Sequence, residues 1–114
     1  FKNVSLISDE QHDEIISFTS QLTHVIALSL VNSDEEKYDT SMFIGDSYKD
    51  LTRIAMINDT LWAELFLKNK DFLLKQINKF EDQMDILKAA IKDKDIEKIQ
   101  ELMKSATQKR RKIK

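Results

Sequence analysis

Polar side chains of several chemical types stand inside otherwise apolar stretches of this 114-residue chain. They form two groups along the sequence, the first with His12, Asp13, Ser20 and His24, and the second with Asp50, Arg53 and Trp62. Burying such groups costs free energy unless each has a hydrogen-bonding or ionic partner. A binding site for a polar, anionic and partly ring-shaped molecule would supply those partners.

The first group lies on one predicted helix. Because each residue of an α-helix advances by about 100°, Asp13, Ser20 and His24 would lie within about 40° of one another, with His12 beside them. An exposed polar face, or a core histidine whose hydrogen bonds are satisfied, would give the same pattern. Helix geometry alone leaves these interpretations open.

Arg53 is the strongest candidate for ligand binding in the second group. A guanidinium presents a planar fork of donors and stays charged at any relevant pH, so it suits a carboxylate. Its neighbours Leu51 and Ile54 are apolar, which predicts partial burial. An ion pair with Asp50 or Asp13 is the alternative interpretation.

The order and spacing of these residues resemble the C-terminal helical domain of the prephenate dehydrogenase family. The first family motif is H-D followed by S-H-L-P-H, and the residues from His12 to His24 are similar to it. The second motif is G-G-G-[FY]-[RK]-D-x-T-R-I-A and then S-D-P-x-x-W. Residues 49–55, with Asp59 and Trp62, are similar to that motif. The resemblance covers nearly the whole chain and is specific because two motifs occur in the same order.

Several positions depart from the family pattern. Gln21 and Thr23 replace the first histidine and the proline of the first motif. A proline inside a helix removes a hydrogen bond and kinks the helix, so its absence predicts a straighter helix and leaves the orientation of His24 open. Only Gly45 remains of the glycine run, and Thr60 replaces the proline of the second motif. We interpret Asp59 as a helix cap.

The resemblance implies a role for each candidate residue. Substrate binding would involve Arg53, His24, Trp62 and Ser20. A supporting ionic network would involve Asp13, Asp50 and His12. Arg53 would hold a carboxylate of a dicarboxylic substrate. The catalytic histidine of the family lies in another domain, so no catalytic residue is expected in this chain. Without the resemblance, Trp62 would be interpreted as a core aromatic residue.

The resemblance also implies an activity for the whole protein. This is the NAD-dependent oxidative decarboxylation of prephenate to 4-hydroxyphenylpyruvate, in cytoplasmic tyrosine biosynthesis. Residues 1–114 would be a single C-terminal domain that binds prephenate and forms a homodimer, and a Rossmann domain that binds NAD would precede residue 1. Arogenate dehydrogenases share this architecture, so arogenate stays an alternative substrate. Whether a regulatory ACT domain follows stays open.

Composition favours a helical protein and disfavours other classes. The chain has one glycine and no proline, which disfavours a β-rich fold, and a net charge of −2, which predicts neither nucleic-acid nor membrane binding. The absence of cysteine excludes disulfides and thiolate zinc sites. We expect no metal site, because His12 and His24 are far apart in sequence, and no Ser-His-Asp triad. A phosphotransfer module with His12 or His24 as acceptor is a less favoured alternative.

The predicted fold is all-α, and the resemblance implies the type seen in the C-terminal domain of 6-phosphogluconate dehydrogenase, with a long antiparallel helical hairpin in an intertwined dimer. Apolar spacing predicts helices over residues 9–31, through Tyr38 to Gly45, over 47–57 and over 60–92, with a last helix after a turn at 93–95. Ser8 and Gln11 predict a capping box. A heptad-like seam predicts that the longest helix packs against another helix, in part from a second copy. The seam is Leu73, Ile77, Phe80, Met84, Leu87 and Ile91.

Overall fold

A computed structural model describes residues 7–39 and 41–113 of the chain. Its elements are α1 (Asp9–Ile16), a π-helical segment (Ser17–Gln21), α2 (Leu22–Asn32), a first 3₁₀ turn (Ser41–Phe43), α3 (Asp46–Thr52), a second 3₁₀ turn (Arg53–Ala55), α4 (Asp59–Lys68), α5 (Lys70–Lys92) and α6 (Ile96–Arg111). These ranges contain no strand, so the predicted all-α class with a C-terminal helical hairpin is confirmed. The chain divides into two compact units between Gln76 and Ile77, and each is described by itself.

The first helix begins with the predicted capping box. The Ser8 hydroxyl accepts from the Gln11 N–H at 3.1 Å, and the Gln11 side-chain carbonyl accepts from the Ser8 N–H at the same distance. Such a cap stabilises a helix by about 1 kcal/mol. From there α1, the π-helical segment and α2 follow one another directly to Asn32, close to the predicted extent.

The π-helical segment is a feature that the apolar spacing does not indicate. Its backbone is wound more loosely, so that the Leu22 N–H donates to the Ser17 carbonyl five residues earlier. Ser17 is fully buried and Gln21 is 5% exposed, whereas Phe18 is 58% exposed. Apolar spacing predicts Ile15, Phe18 and Leu22 on the inward face of this helix. Leu22 is buried as expected, but the prediction is wrong at Phe18 and at Ile15, which is 49% exposed, because the polar residues Ser17 and Gln21 take the inward positions.

The predicted short helix that ends at Gly45 is wrong. Among the described residues of this stretch, 38–39 and 41–45, the helical element is the 3₁₀ turn Ser41–Phe43. Gly45 has extended backbone, with φ −89° and ψ 177°, as the N-cap of α3. Asp39 precedes this turn, and hydrogen bonds from the Ser41 hydroxyl and N–H lower the pKa of its carboxyl. The third predicted helix is also shorter than expected, because it tightens into a 3₁₀ turn at Arg53.

The predicted helix over 60–92 is divided at Asn69. This residue is the C-cap of α4, with φ −113° and ψ 28°, and its carbonyl accepts from the Leu73 N–H in α5 at 2.9 Å. At the other end of α4 the cap is Asn58 rather than Asp59, because the Asn58 side-chain oxygen accepts from the Leu61 N–H at 3.0 Å.

The first unit has its described core around α2. This helix packs against α3 and the second 3₁₀ turn, and the buried apolar residues are Leu22, Ala27 and Leu73. By length and composition alone the helical run Asp9–Asn32 could cross a membrane, a test that a core helix also passes. In this single chain 22% of its most apolar window is buried.

The second unit contains the C-terminal part of α5, a turn and α6. The turn is a Schellman motif: Lys94 has φ 54°, the Asp95 N–H donates to the Ala90 carbonyl and the Lys94 N–H donates to the Ile91 carbonyl. The Asp95 side chain then caps α6 by accepting from the Lys98 N–H at 3.0 Å. Among the apolar side chains described in this unit, Ala90 alone is buried. The large apolar side chains that are exposed are Met84, Ile86, Leu87, Ile91, Ile96, Met103 and Ile113.

Candidate functional site

Two residues that the sequence analysis placed in one pocket meet in the structure. The imidazole of His24 on α2 stacks on the indole of Trp62 on α4, with ring centroids 3.8 Å apart and planes 25° apart. Phe66 lies one turn further along α4 and meets the indole edge-on at 5.9 Å. Both members of the stack are half-buried, so the pair is held by its neighbours and is still accessible from solvent.

The hydrogen bond of His24 determines which of its nitrogens is available. Nδ1 lies 2.8 Å from the backbone carbonyl of Ser20. A carbonyl can only accept, so Nδ1 carries a hydrogen and donates it. In the neutral ring Nε2 then holds a lone pair, and no other described residue hydrogen-bonds to the ring. Nε2 can therefore accept a hydrogen bond from a ligand or, when protonated, donate one to a carboxylate.

Ser20 contributes through its backbone. Its carbonyl accepts from the Thr23 hydroxyl at 2.6 Å as well as from His24. Thr23 stands where the family motif has a proline, so its hydroxyl adds a bond to the same carbonyl that orients the imidazole. Binding of substrate by the Ser20 hydroxyl itself stays a prediction.

Arg53 begins the 3₁₀ turn that packs against α2, the helix that carries His24. The predicted partial burial was wrong, because Arg53 is exposed. Within the described residues, the ion pairs within 4.0 Å join His12 to Asp13, Lys75 to Glu14 and Lys98 to Glu101. Arg53 is in none of them, so neither Asp50 nor Asp13 occupies its guanidinium. The arrangement leaves this cation available to an anionic ligand.

The other charged candidates lie at the surface. His12 Nδ1 and Asp13 Oδ1 are 3.7 Å apart, with side chains 63% and 60% exposed, a pairing that contributes little free energy. Asp50 is exposed on α3. The ionic network of Asp13, Asp50 and His12 is not assembled in the part of the chain that the structure describes, and it stays a prediction.

Gln21 joins this site although the sequence analysis noted it only as a departure from a motif. Its side-chain amide donates to the Leu65 carbonyl at 3.3 Å, and its oxygen accepts from the Asn69 amide at 2.9 Å. The Asn69 amide also donates to the Asp13 carbonyl at 2.8 Å. Its neighbours in sequence gave no signal of this role, since its partners lie more than forty residues away.

The sequence of this chain contains no glycine-rich phosphate-binding loop. Phosphates are commonly cradled by glycine-rich backbone at a helix N-terminus. Gly45 is the one glycine, and a Cβ added there would meet nothing within 4 Å, so the backbone makes no close approach at that point. In residues 7–39 and 41–113 there is also no group of three or more His, Cys, Asp or Glu residues that could hold a metal ion.

The family model described as "Prephenate dehydrogenase, dimerization domain" matches residues 8–105. The prephenate dehydrogenase of Bacillus subtilis is 29% identical over 104 residues, which are 88% of this chain and 28% of that protein. The cyclohexadienyl dehydrogenase of Zymomonas mobilis is 33% identical over 97 residues, 81% of this chain and 33% of that protein. The chain thus spans a third or less of the length of these relatives.

Solved structures have the same fold. The prephenate dehydrogenase from A. aeolicus, in complex with hydroxyphenyl propionate and NAD+, matches 98% of this chain and 41% of its own, with a TM-score of 0.87 and 32% identity. The Synechocystis arogenate dehydrogenase matches 96% of this chain and 42% of its own, with a TM-score of 0.89. At 19% identity, that second likeness shows the fold alone.

Proposed function

We propose, since this chain belongs to the prephenate dehydrogenase family, that it is the substrate-binding and dimerisation part of an enzyme that converts prephenate to 4-hydroxyphenylpyruvate with NAD. The observation that carries this proposal is the stack of His24 on Trp62, in which the His24 Nδ1 bond to Ser20 leaves Nε2 available. His24 lies on α2, the helix that packs against the 3₁₀ turn carrying Arg53. A cation, an imidazole and an indole within one unit suit a ring-shaped anion.

Each group has a counterpart in the chemistry of prephenate, which carries two carboxylates, a keto group and a hydroxyl on a cyclohexadiene ring. Arg53 would bind one carboxylate with two parallel hydrogen bonds. His24 Nε2 would accept from the hydroxyl or, when protonated, donate to a second anionic oxygen. Trp62 would hold the imidazole plane in place. These residues bind and orient the substrate, and such positioning supplies a large part of catalysis.

The nicotinamide cofactor would bind outside this chain. Because Gly45 makes no phosphate cradle, we propose that a Rossmann domain elsewhere in the full-length protein, expected before residue 1, holds NAD. Bound there, NAD would take up the hydride as the substrate loses its carboxylate. The enzyme would belong to cytoplasmic tyrosine biosynthesis.

Arogenate is the second candidate substrate. It differs from prephenate by an amino group in place of the keto group, so it keeps the ring, the hydroxyl and both carboxylates. The names of two relatives, prephenate dehydrogenase and cyclohexadienyl dehydrogenase, support a substrate with such a ring.

An assay of NADH formation by the full-length protein tests the proposal. We expect NADH to form with prephenate, and omission of prephenate is the control for other oxidations. If NADH forms with arogenate and not with prephenate, the proposed substrate becomes arogenate and the proposed reaction type is unchanged. Absence of NADH with both substrates would overturn the proposed function.

A further inference from the structure

We propose that Gln21 and Asn69 are positioning residues that set the His24–Trp62 stack by holding α4 in one register against the π-helical segment and α2. Their effect on turnover rests on the proposed function, whereas their effect on the stack does not. Neither side chain belongs to the stack itself, and Gln21 stands where the family motif has a histidine.

Two contacts join the same pair of helical faces. Gln21 contacts Leu65, and His24 contacts Trp62. His24 lies three residues after Gln21, and Trp62 lies three residues before Leu65, so the two helical segments run in opposite directions. Residues three apart share a helix face. The hydrogen bond from Gln21 to Leu65 and the stack of His24 on Trp62 are therefore neighbouring contacts of one antiparallel interface. A shift of the first contact displaces the second.

Asn69 anchors the end of this interface. Its side-chain amide has two hydrogens, and one bonds to the Gln21 side chain while the other bonds to the Asp13 carbonyl. Because Asn69 ends α4, these two bonds tie that end to the backbone of α1 and to the π-helical segment. The Leu65 carbonyl accepts hydrogen bonds from the Asn69 N–H and from the Gln21 side chain. The last turn of α4 is therefore held both by its own backbone and by the π-helical segment.

The burial of Gln21 favours this register of α4 over shifted ones. Gln21 is 5% exposed, and a buried amide without partners loses its hydrogen bonds to water and gains none in return. Any slip of α4 along the π-helical segment would break the bond to Leu65 or the bond to Asn69. The favoured position is the one that satisfies both ends of the amide, and in that position the indole covers the imidazole.

The experiment replaces Gln21 with methionine in the full-length protein, which keeps the side-chain length and removes both hydrogen bonds. A stacked imidazole quenches indole fluorescence, so the emission of Trp62 reports the stack. Subtracting the spectrum of the matching Trp62→Phe protein isolates that emission. We expect Gln21→Met to raise the isolated emission and to lower kcat/KM for prephenate on the order of tenfold, because a displaced binding group slows the reaction.

Gln76→Met is the matched control. Gln76 is a glutamine of similar burial, 6% exposed, on α5, and it has no hydrogen bond to α4 among the described residues. We expect this change to leave the isolated emission of Trp62 at the parent value. An equal rise of emission in Gln76→Met would show general loosening and would overturn the specific role of Gln21.

Asn69→Ala decides the matter if Gln21→Met does not fold. This change removes both side-chain hydrogen bonds of Asn69 and leaves the hydrogen bond from Gln21 to Leu65. We therefore expect a smaller rise in the emission of Trp62 than Gln21→Met gives. Parent-like emission in every folded variant would overturn the proposal. A raised emission in a protein that oxidises neither prephenate nor arogenate would support the positioning role and reject the proposed function.

Discussion

At the scale of single residues, the environment of His24 restricts how it can meet a ligand. Nδ1 donates to the Ser20 carbonyl, and Trp62 covers one face of the ring. The remaining nitrogen, Nε2, is the polar atom that can reach an incoming group. Since the Ser20 carbonyl belongs to the π-helical segment, the direction of Nε2 depends on a local irregularity of the backbone.

Arg53 differs from His24 because the structure gives it no intramolecular ion pair within the described residues. A structural arginine is normally held by carboxylates, and its loss would destabilise the fold. An exposed arginine without such partners adds little stability. Its contribution is expected in ligand binding, where a charge-assisted hydrogen bond forms as the anion arrives.

We therefore predict that Arg53→Ala raises the KM for prephenate and leaves the thermal stability of the full-length protein unchanged. A charge-assisted contact contributes about 1.5–3 kcal/mol, which corresponds to a rise in KM on the order of tenfold to a hundredfold. Arg53→Lys should recover part of the affinity, because lysine keeps the charge without the planar fork. Steady-state kinetics of the three proteins measure the effect.

Arg111→Ala is the control, because Arg111 is an exposed arginine at the end of α6 in the other unit. A parent-like KM in Arg53→Ala would show that this cation does not contact the substrate.

At the scale of elements, α4 is bounded by two asparagines with different roles. Asn58 caps the first turn through a side-chain hydrogen bond to the Leu61 N–H. Asn69 ends the helix and bonds across to the π-helical segment. Asparagine suits both positions because its short amide competes with helical backbone hydrogen bonds. The position of Trp62, one turn from the N-cap, depends on both ends being held.

We predict that Asn58→Ala lowers the free energy of unfolding by about 1 kcal/mol, because the Leu61 N–H loses its acceptor. Asn58→Asp should retain the stability, since aspartate is an equally good N-cap and its charge is favourable at a helix N-terminus. Denaturant unfolding followed by circular dichroism measures the difference. Asn78→Ala, at an exposed position inside α5, is the control and should not destabilise, because alanine favours helix. Equal stability of Asn58→Ala and the parent would rule out the cap.

At the scale of the whole molecule, the apolar surface of the second unit is the main unexplained feature. Met84, Leu87 and Ile91 continue the predicted seam along α5, and all three are exposed in the single chain. Contiguous apolar surface of this kind marks protein interfaces. The family model is described as a dimerization domain, which supports a second copy of the chain as the partner.

We predict that the full-length protein is a homodimer and that Ile91→Asp shifts it toward monomers. Ile91 is 59% exposed in the chain, and a carboxylate placed there would be buried without a partner in a dimer. Sedimentation equilibrium at micromolar concentration measures the mass. Asn78→Asp adds the same charge at an exposed polar position of α5 and should stay dimeric. A monomeric parent would reject the dimer, and a dimeric Ile91→Asp would place the interface elsewhere.

Features that depend on residues close together in the chain can be predicted from the sequence. The capping box of Ser8 and Gln11 acts over three residues, so the sequence predicts it directly. The all-α class follows from apolar spacing and the scarcity of glycine and proline. The family followed from residue types in order, which brought His24 and Trp62 into one predicted pocket before any contact between them was known.

Features that depend on partners far apart in the chain become visible only in the folded molecule. Gln21 and Asn69 are 48 residues apart, and no periodicity indicates that one amide will satisfy the other. The exposure of Arg53 also could not be read from its apolar neighbours. The physical reason is that caps and helical periods act within about four residues, whereas burial and side-chain hydrogen bonds depend on which helix faces pack together.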